Sequence, residues 1–224
     1  MLEDKIIGEN VKRVLNEIAA GNNLGEKITL VAATKTVPPE TVNFAISCGI
    51  RTVAENRVQE FREKYDIIKG AEQQFIGHLQ TNKVKYLVGK VTLIQSVDSY
   101  KLAEEISAFA VKRGITQDIL IEVNIGGELS KSGFTHENAA EAARKIAALP
   151  SLSVKGLMAM LPKTDDEVVR EKLCRDMRAL YDGLKNEGLP FEHLSIGMSA
   201  DYKTAIRNGS NMIRLGSTIF GKRY

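Results

Sequence analysis

The apolar positions of the chain follow two alternating patterns. Over residues 2–20 they recur every three or four residues, which predicts an amphipathic helix. Residues 28–35 (Ile-Thr-Leu-Val-Ala-Ala-Thr-Lys) then form an apolar run rich in β-branched residues. Because both faces of this run are apolar, it predicts a strand buried on both sides, as in a parallel sheet. The run ends in a single ammonium group, that of Lys35.

The same alternation continues to the end of the chain and predicts seven more strand–helix units. Eight such units predict an α/β fold, a single (β/α)8 TIM barrel with an extra N-terminal helix, because a closed barrel leaves no strand edge exposed. An open doubly wound sheet is the alternative, but no G-x-G-x-x-G follows the first strand. The further strands are predicted at 51–54, 74–77, 93–96, 118–123, 154–160, 194–198 and 212–215, and the helices near 39–48, 58–68, 81–88, 99–113, 136–148, 165–187 and 201–208.

Composition excludes several functional classes. The net charge is only +3, which argues against a nucleic-acid partner. Cys48 and Cys174 form no CxxC motif and the three histidines lack metal-ligand spacing, so we expect packed thiols and no metal. No apolar run approaches the roughly 18 residues of a membrane span, and no linker or repeat indicates a second domain. We therefore expect residues 1–224 to form one cytoplasmic domain with reduced thiols.

In a barrel, the residues that follow each strand converge on one mouth. Lys35 would lie at this mouth, on the margin of an apolar core, where partial desolvation would make its amine available to attack a carbonyl. The alternative is an ordinary lysine that extends from the strand end into water. The other polar or small residues at the predicted mouth are Glu55, Asn56, Gly77, His78, Asn124, Ser199, Asp201, Arg214, Gly216, Ser217 and Thr218.

The loops after the last two strands suggest a phosphate site. Residues 198–201 (Met-Ser-Ala-Asp) follow the seventh strand, and residues 216–218 (Gly-Ser-Thr) follow the eighth. Small residues allow backbone N–H groups to approach an anion, and barrels often bind phosphate at these two loops. The alternative is that Ser199 and Asp201 cap a helix and Gly216 serves only in a turn.

A reactive lysine and a phosphate site together indicate a phosphorylated carbonyl ligand. One candidate is a sugar-phosphate aldolase, and the other is a protein that holds pyridoxal 5'-phosphate (PLP) as an internal aldimine. The position of Lys35 on the first strand favours the cofactor. Arg214, if it points inward, could donate to the pyridine nitrogen and weaken the ring as an electron sink. A surface salt bridge is the alternative role for Arg214.

Several motifs together resemble the pyridoxal phosphate homeostasis protein family (YggS/PROSC-like). They are residues 32–35 (Ala-Ala-Thr-Lys), 54–60 (Ala-Glu-Asn-Arg-Val-Gln-Glu), 75–83, 95–99, 123–124, 131–134, 156–158 and 194–223. The resemblance implies an alanine-racemase-type barrel (fold type III among PLP proteins). It also implies site roles: Lys35 would carry the aldimine, Asn56 would lie beside the ring, Arg214 would face the pyridine nitrogen, and Ser199, Gly216 and Ser217, with Met198 and Thr218 nearby, would hold the phosphate.

The resemblance also bears on activity. The family is regarded as binding and carrying PLP, with effects on vitamin B6 and amino-acid balance but no established catalysis. Racemisation needs an acid or base on each face of the substrate carbon. In alanine racemase one of these is a tyrosine near a second domain, and only residues 217–224 follow the last predicted strand, so we expect no such domain. Tyr202 is the tyrosine closest to the predicted mouth and the one candidate base.

We therefore expect a non-enzymatic PLP-binding protein, with a weak amino-acid racemase as the alternative. The expected partners are PLP and, as recipients, apo PLP-dependent enzymes. Neither nucleic acid nor membrane is expected, and the expected state is a monomer. A third possibility is an interaction protein that uses Lys83, Lys85 and Lys90, although a solvated helix face explains these lysines better. His78 follows a strand and could reach the ligand.

Overall fold

The computed structural model describes residues 2–128 and 131–221, with side chains from Asp4 onward. The end of the last family-like stretch, residues 222–223, lies outside these ranges. One sheet of parallel strands closes into a barrel, in the order β4-β3-β2-β1-β9-β8-β7-β5, with β4 paired to β5. The strands are β1 (Thr29–Ala33), β2 (Thr52–Glu55), β3 (Glu72–Phe75), β4 (Leu93–Val97), β5 (Gln117–Asn124), β6 (Phe134–Thr135), β7 (Leu152–Ala159), β8 (His193–Ser195) and β9 (Met212–Leu215).

Helices connect the strands, and α1 precedes the barrel. A 3-10 helix at Thr81–Tyr86 takes the place of an α-helix between β3 and β4. The α-helices are α1 (Leu2–Ile18), α2 (Pro39–Ser47), α3 (Val58–Lys64), α4 (Tyr100–Arg113), α5 (His136–Ala147), α6 (Glu167–Asn186), α7 (Tyr202–Arg207) and α8 (Ser217–Phe220).

The predicted eight-stranded barrel with an additional N-terminal helix is confirmed, and the open sheet is excluded by the pairing of β4 with β5. The structure differs from the prediction in short elements. Strand β6 is a two-residue extension that pairs with the end of β5, and α8 is a single turn, so neither is long enough to produce a hydrophobic period. The predicted helix at 81–88 is the shorter 3-10 helix.

The barrel encloses a small apolar core, and a larger apolar layer lies between strands and helices. Inside the barrel, Val31, Leu93, Leu120 and Met212 are among the buried residues that pack together. Polar side chains replace them toward the carboxyl ends of the strands, where Arg214 is 4% exposed. Apolar side chains therefore fill most of the barrel interior, and polar side chains line its end at the carboxyl ends of the strands. A binding site is expected at that end.

Cys174 agrees with the expectation of a packed thiol. Cys174 is fully buried, and burial raises the pKa of its thiol to about 12, as expected of a packed thiol. Cys48 is half-buried, and both thiols are free. Within the two described ranges, no helix combines the length and apolarity needed to cross a membrane, and no cluster of three metal-ligating side chains occurs.

Candidate functional site

A cavity of about 430 Å³ lies at the carboxyl ends of β1, β2 and β9. Seven of the eight residues predicted to bind the cofactor line it: Lys35, Asn56, Met198, Ser199, Arg214, Gly216 and Ser217. The eighth, Thr218, is not part of the lining. Its backbone N–H instead donates a hydrogen bond to Ser199 Oγ at 3.2 Å. The structure thus brings together residues that are up to 182 positions apart in the chain (217 − 35).

Lys35 lies in the loop after β1 and not within the strand. The strand ends at Ala33, and Thr34 is the last fully buried residue before the loop. Lys35 itself is exposed, as in the alternative of a lysine that extends from the strand end into water, and it also lines the cavity. The reason is that the apolar run extends past the last strand residue, and the chain turns outward between Thr34 and Lys35. Thr36, the next residue, has a positive φ of 59°.

Arg214 points into the barrel. Its Nη1 donates to Ser195 O at 2.8 Å and Ser195 Oγ at 2.6 Å, and its Nη2 donates to Ala159 O at 2.9 Å. A surface salt bridge is therefore excluded. Burial lowers its pKa to about 10, with Asp201 and Glu122 acting in the opposite direction, so the guanidinium stays charged at neutral pH. The three hydrogen bonds use three of its five N–H donors.

A chain of polar side chains continues below Arg214, and sequence reasoning did not find it. Ser195 Oγ donates to Gln95 Oε1 at 2.7 Å, and Gln95 Nε2 donates to Gln74 Oε1 at 2.7 Å. All three side chains are buried. They fix the orientation of Ser195 and hence of the guanidinium that donates to it. The signal in the sequence was a polar residue within each of three predicted strands.

Glu122 is a second residue that sequence reasoning missed. It lies on β5 and is 4% exposed. Burial raises the pKa of its carboxyl to about 7, helped by Asp98, whereas Arg214 and His78 act to lower it. A carboxyl group that is half protonated near neutral pH thus lies in the field of Arg214. The signal was an acidic residue within the apolar run of residues 118–123.

The loops after β8 and β9 form one wall of the cavity. The hydrogen bond from Thr218 N–H to Ser199 Oγ joins the two loops. Asp201 Oδ1 accepts from Met198 N–H at 2.6 Å, which closes the loop after β8. Although Asp201 precedes α7, its side chain makes no capping hydrogen bond to that helix. The Asp201 side chain therefore closes its own loop, Ser199 Oγ accepts from the first turn of α8, and the joined loops present Ser199, Gly216 and Ser217 to the cavity.

Asn56 lies between this cavity and a smaller neighbouring one. Its Oδ1 is buried without a hydrogen-bond partner, and such an unsatisfied acceptor is costly unless a ligand or water reaches it. Gly77 makes the position of Asn56 possible, because a Cβ at residue 77 would come within 1.9 Å of Asn56 O. No other residue type fits this close approach of the loops after β2 and β3.

Besides Thr218 and Gly77, four residues predicted at the mouth do not line the main cavity. His78 lines the neighbouring cavity, and its Nδ1 is 3.0 Å from Asp98 Oδ2. Asn124 holds its own loop through hydrogen bonds to Glu128 O and Lys131 O. Glu55 is buried, and its Oε1 accepts from Thr34 and Lys64. Asp201 serves the loop after β8, as described above.

Tyr202 is not placed to act as a base at the cavity. Its ring is 5% exposed within the apolar layer beneath α1, and its hydroxyl donates to Glu17 Oε2 at 2.5 Å. Burial and the bond to Glu17 raise its pKa to about 12. Among the residues that the structure describes, no tyrosine lines the cavity. The Tyr202 side chain points away from the barrel interior, so the candidate base named from the sequence does not reach the cavity.

The fold and site place the chain in a known class of barrel. Residues 12–224 match the family model described as alanine racemase, N-terminal domain. An alanine racemase from Clostridium difficile 630 superimposes with a TM-score of 0.80 at 14% identity, covering all of this chain and 60% of that one. At this identity the similarity shows the fold, which is the alanine-racemase-type barrel.

Relatives of similar length define the family. The pyridoxal phosphate homeostasis protein of Aquifex aeolicus is 43% identical over 218 residues, covering 96% of this chain and 94% of the relative. PipY of Synechococcus elongatus PCC7942, in a structure with PLP bound, has a TM-score of 0.84 at 25% identity and covers 96% of this chain and all of PipY. The chain belongs to the pyridoxal phosphate homeostasis protein family.

Proposed function

We propose that this protein binds PLP in the cavity at the barrel mouth and holds it covalently through Lys35. The observation that carries the proposal is that one cavity combines a primary amine, a buried guanidinium and two joined loops of small residues. The PLP in the structure of PipY and the name of the Aquifex relative support the same ligand. In chemical terms, the aldehyde of PLP condenses with a primary amine to form a carbon–nitrogen double bond and release water.

The residues around the cavity suit the separate parts of this ligand. Ser199, Gly216 and Ser217 would hold the phosphate, with Met198 alongside and Thr218 fixing Ser199 from behind. Arg214 would face the pyridine nitrogen, because the guanidinium keeps donor capacity beyond its three hydrogen bonds. An arginine cannot give its proton to the ring at neutral pH, so the ring would remain a weak electron sink. Asn56 would lie beside the ring, with its unpartnered Oδ1 available to a donor.

The proposed role is to bind and carry PLP without catalysis. A racemase needs a second proton-transfer group opposite the lysine, and the one candidate tyrosine donates to Glu17 on α1 instead. The exposure of Lys35 suits release and exchange of a cofactor better than protection of a carbanion from water. We further propose that the protein acts as a monomer in PLP homeostasis and that apo PLP-dependent enzymes receive the cofactor from its open mouth.

The proposal is tested by absorption spectroscopy on the purified protein with added PLP. We expect a visible band in the wild type that borohydride abolishes, and no such band in Lys35→Ala. Lys172→Ala is the matched control, because Lys172 is exposed on α6 and pairs with Asp176. A wild type that binds no PLP would refute the proposal and direct attention to sugar phosphates. Turnover of D- or L-alanine by the loaded wild type would instead favour the racemase.

A further inference from the structure

The loop that carries Lys35 is held from outside the barrel by α3. Its most unusual feature is Thr36, a β-branched residue with φ of 59°. Positive φ is sparsely populated by β-branched residues and costs about 1–3 kcal/mol. Such a conformation persists only where surrounding contacts impose it. One contact that favours it here is a hydrogen bond from Thr36 N–H to Glu60 Oε2 at 2.6 Å, beside the turn hydrogen bond from Val37 N–H to Thr34 O at 3.0 Å.

The Glu60 side chain is itself positioned by Lys64 on the same helix and by Arg57, which directly precedes the helix. Lys64 lies one turn further along α3, and its Nζ donates to Glu60 Oε2 at 3.2 Å. Arg57 Nη1 is 3.8 Å from the other carboxylate oxygen. Burial opposes ionisation of Glu60, but the hydrogen bonds from Thr36 and Lys64 lower its pKa overall. The group that accepts from Thr36 is therefore a carboxylate at neutral pH.

Lys64 binds the same loop on the other side of Lys35, at Thr34. Its Nζ donates to Thr34 O at 2.9 Å and to Glu55 Oε1 at 2.7 Å, and its side chain is 10% exposed. The carbonyl group before Lys35 and the amide group after it are thus bound by two adjacent side chains of α3. The direction in which the backbone presents Lys35 depends on these two hydrogen bonds.

We propose that Glu60 is the positioning residue for Lys35: by accepting from Thr36 N–H it holds the loop in the conformation that directs the Lys35 amine into the cavity. Glu60 does not touch the ligand site, since it lies on α3 outside the cavity lining. The inference rests on the proposed function, because it concerns the covalent capture of PLP by Lys35. Loss of Glu60 should therefore impair capture of the aldehyde and leave the cavity itself intact.

The experiment compares two ligands that fill the cavity alike. PLP can condense with Lys35, whereas 4'-deoxypyridoxine 5'-phosphate has a methyl group in place of the aldehyde and cannot. Affinities for both are measured by titration of wild type, Glu60→Ala, Glu60→Asp, Glu60→Gln and Glu63→Ala. Glu63 is the matched control, because it is an exposed carboxylate on the same helix that contacts Gln59.

We expect Glu60→Ala to weaken PLP binding about tenfold, the worth of one charge-assisted hydrogen bond, with slower appearance of the visible band. Its affinity for the deoxy analogue should be unchanged. Glu60→Gln should restore most of the PLP affinity, because its amide oxygen can accept from Thr36 N–H, and Glu63→Ala should behave as wild type. Glu60→Asp keeps the charge near Lys64 but shortens the side chain, and we expect it to resemble Glu60→Ala.

Three results separate the explanations. Unchanged PLP affinity in both Glu60→Ala and Glu60→Asp would overturn the proposal. Equal weakening of PLP and the deoxy analogue would overturn it too, because it would show damage to the cavity as a whole. A wild type with no visible band would refute the proposed function before any variant is compared.

Discussion

Tyr202 Oη donates a hydrogen bond to Glu17 Oε2, which ties α7 to the N-terminal helix α1. The carboxylate also lies 3.4 Å from Lys203 Nζ and, through its other oxygen, 3.3 Å from Arg13 Nη1. The hydrogen bond to Tyr202 lowers the pKa of Glu17 despite the opposing effect of burial. Tyr202 thus serves the contact between helices and not the cavity.

This relationship predicts the behaviour of Tyr202→Phe. The variant should lose about 1 kcal/mol of stability, the net value of one buried hydrogen bond, as measured by denaturant unfolding. PLP affinity and the visible band should stay as in the wild type, since the ring still fills its apolar site. Loss of the band, or loss of a measurable alanine turnover, would show that the hydroxyl acts at the cavity after all.

The raised pKa of Glu122 predicts how the stability of the fold depends on pH. Its pKa rises from 4.5 in the unfolded chain to about 7 in the folded protein, so between these pH values the folded state binds more protons. Stability should therefore fall as the pH rises through this window. Glu122→Gln should remove that fall and gain at most roughly 3 kcal/mol at pH 8.

Chemical unfolding of wild type and Glu122→Gln at pH 5 and pH 8 measures this effect. Glu104→Gln is the control, because Glu104 is an exposed carboxylate on α4. A variant whose advantage is the same at both pH values would show that the amide improves packing and that titration of Glu122 contributes nothing.

Arg214→Lys should weaken both the fold and the ligand site. The guanidinium joins β9 to Ser195 on β8 and to Ala159 on β7, and a single ammonium cannot reproduce that planar set of donors. We expect a loss of about 2 kcal/mol in unfolding free energy and a displaced visible band. Arg175→Lys, an exposed substitution on α6, should change neither. An unchanged band in Arg214→Lys would contradict the role proposed for Arg214 at the ring.

Lys64→Met should be strongly destabilising. Glu55 Oε2 already lacks a hydrogen-bond partner, and burial raises the pKa of this carboxyl against the effects of Lys64 and Thr34. Removing the ammonium leaves an uncompensated buried charge, which typically costs about 3–5 kcal/mol. Adding Glu55→Gln should recover much of the loss in thermal and denaturant unfolding. A double variant less stable than Lys64→Met would show that Glu55 contributes mainly by other contacts.

The barrel could be predicted because its signals are local and repeated. Each strand is a short apolar run and each helix has its own period, so eight units in succession limit the topology. The cavity residues could be predicted because parallel strands end at the same mouth. The exposure of Lys35 was one of two alternatives that the sequence left open, since it depends on where the apolar run leaves the sheet, a boundary that composition does not mark.

The contacts that were missed join residues that are distant in the chain or lie on different elements. The inward direction of Gln95 and Ser195 emerges only when the barrel closes and their side chains meet. The hydrogen bonds between α3 and the loop after β1 form only when the helix packs against that loop. They also need Thr36 in a positive-φ conformation, which no sequence pattern suggests for threonine. The direction of Tyr202 likewise follows from the docking of α7 beneath α1.

The pairing of β1 with β9 has a consequence for synthesis. Val31 lies beside Arg214 in this pairing, so the first and last strands of the barrel are neighbours. Adjacent parts of the cavity lining therefore come from the loop after β1 and from the loop after β9. A growing polypeptide on the ribosome therefore has no complete cavity until β9 has emerged and docked beside β1, so capture of a ligand there shows that the barrel has closed.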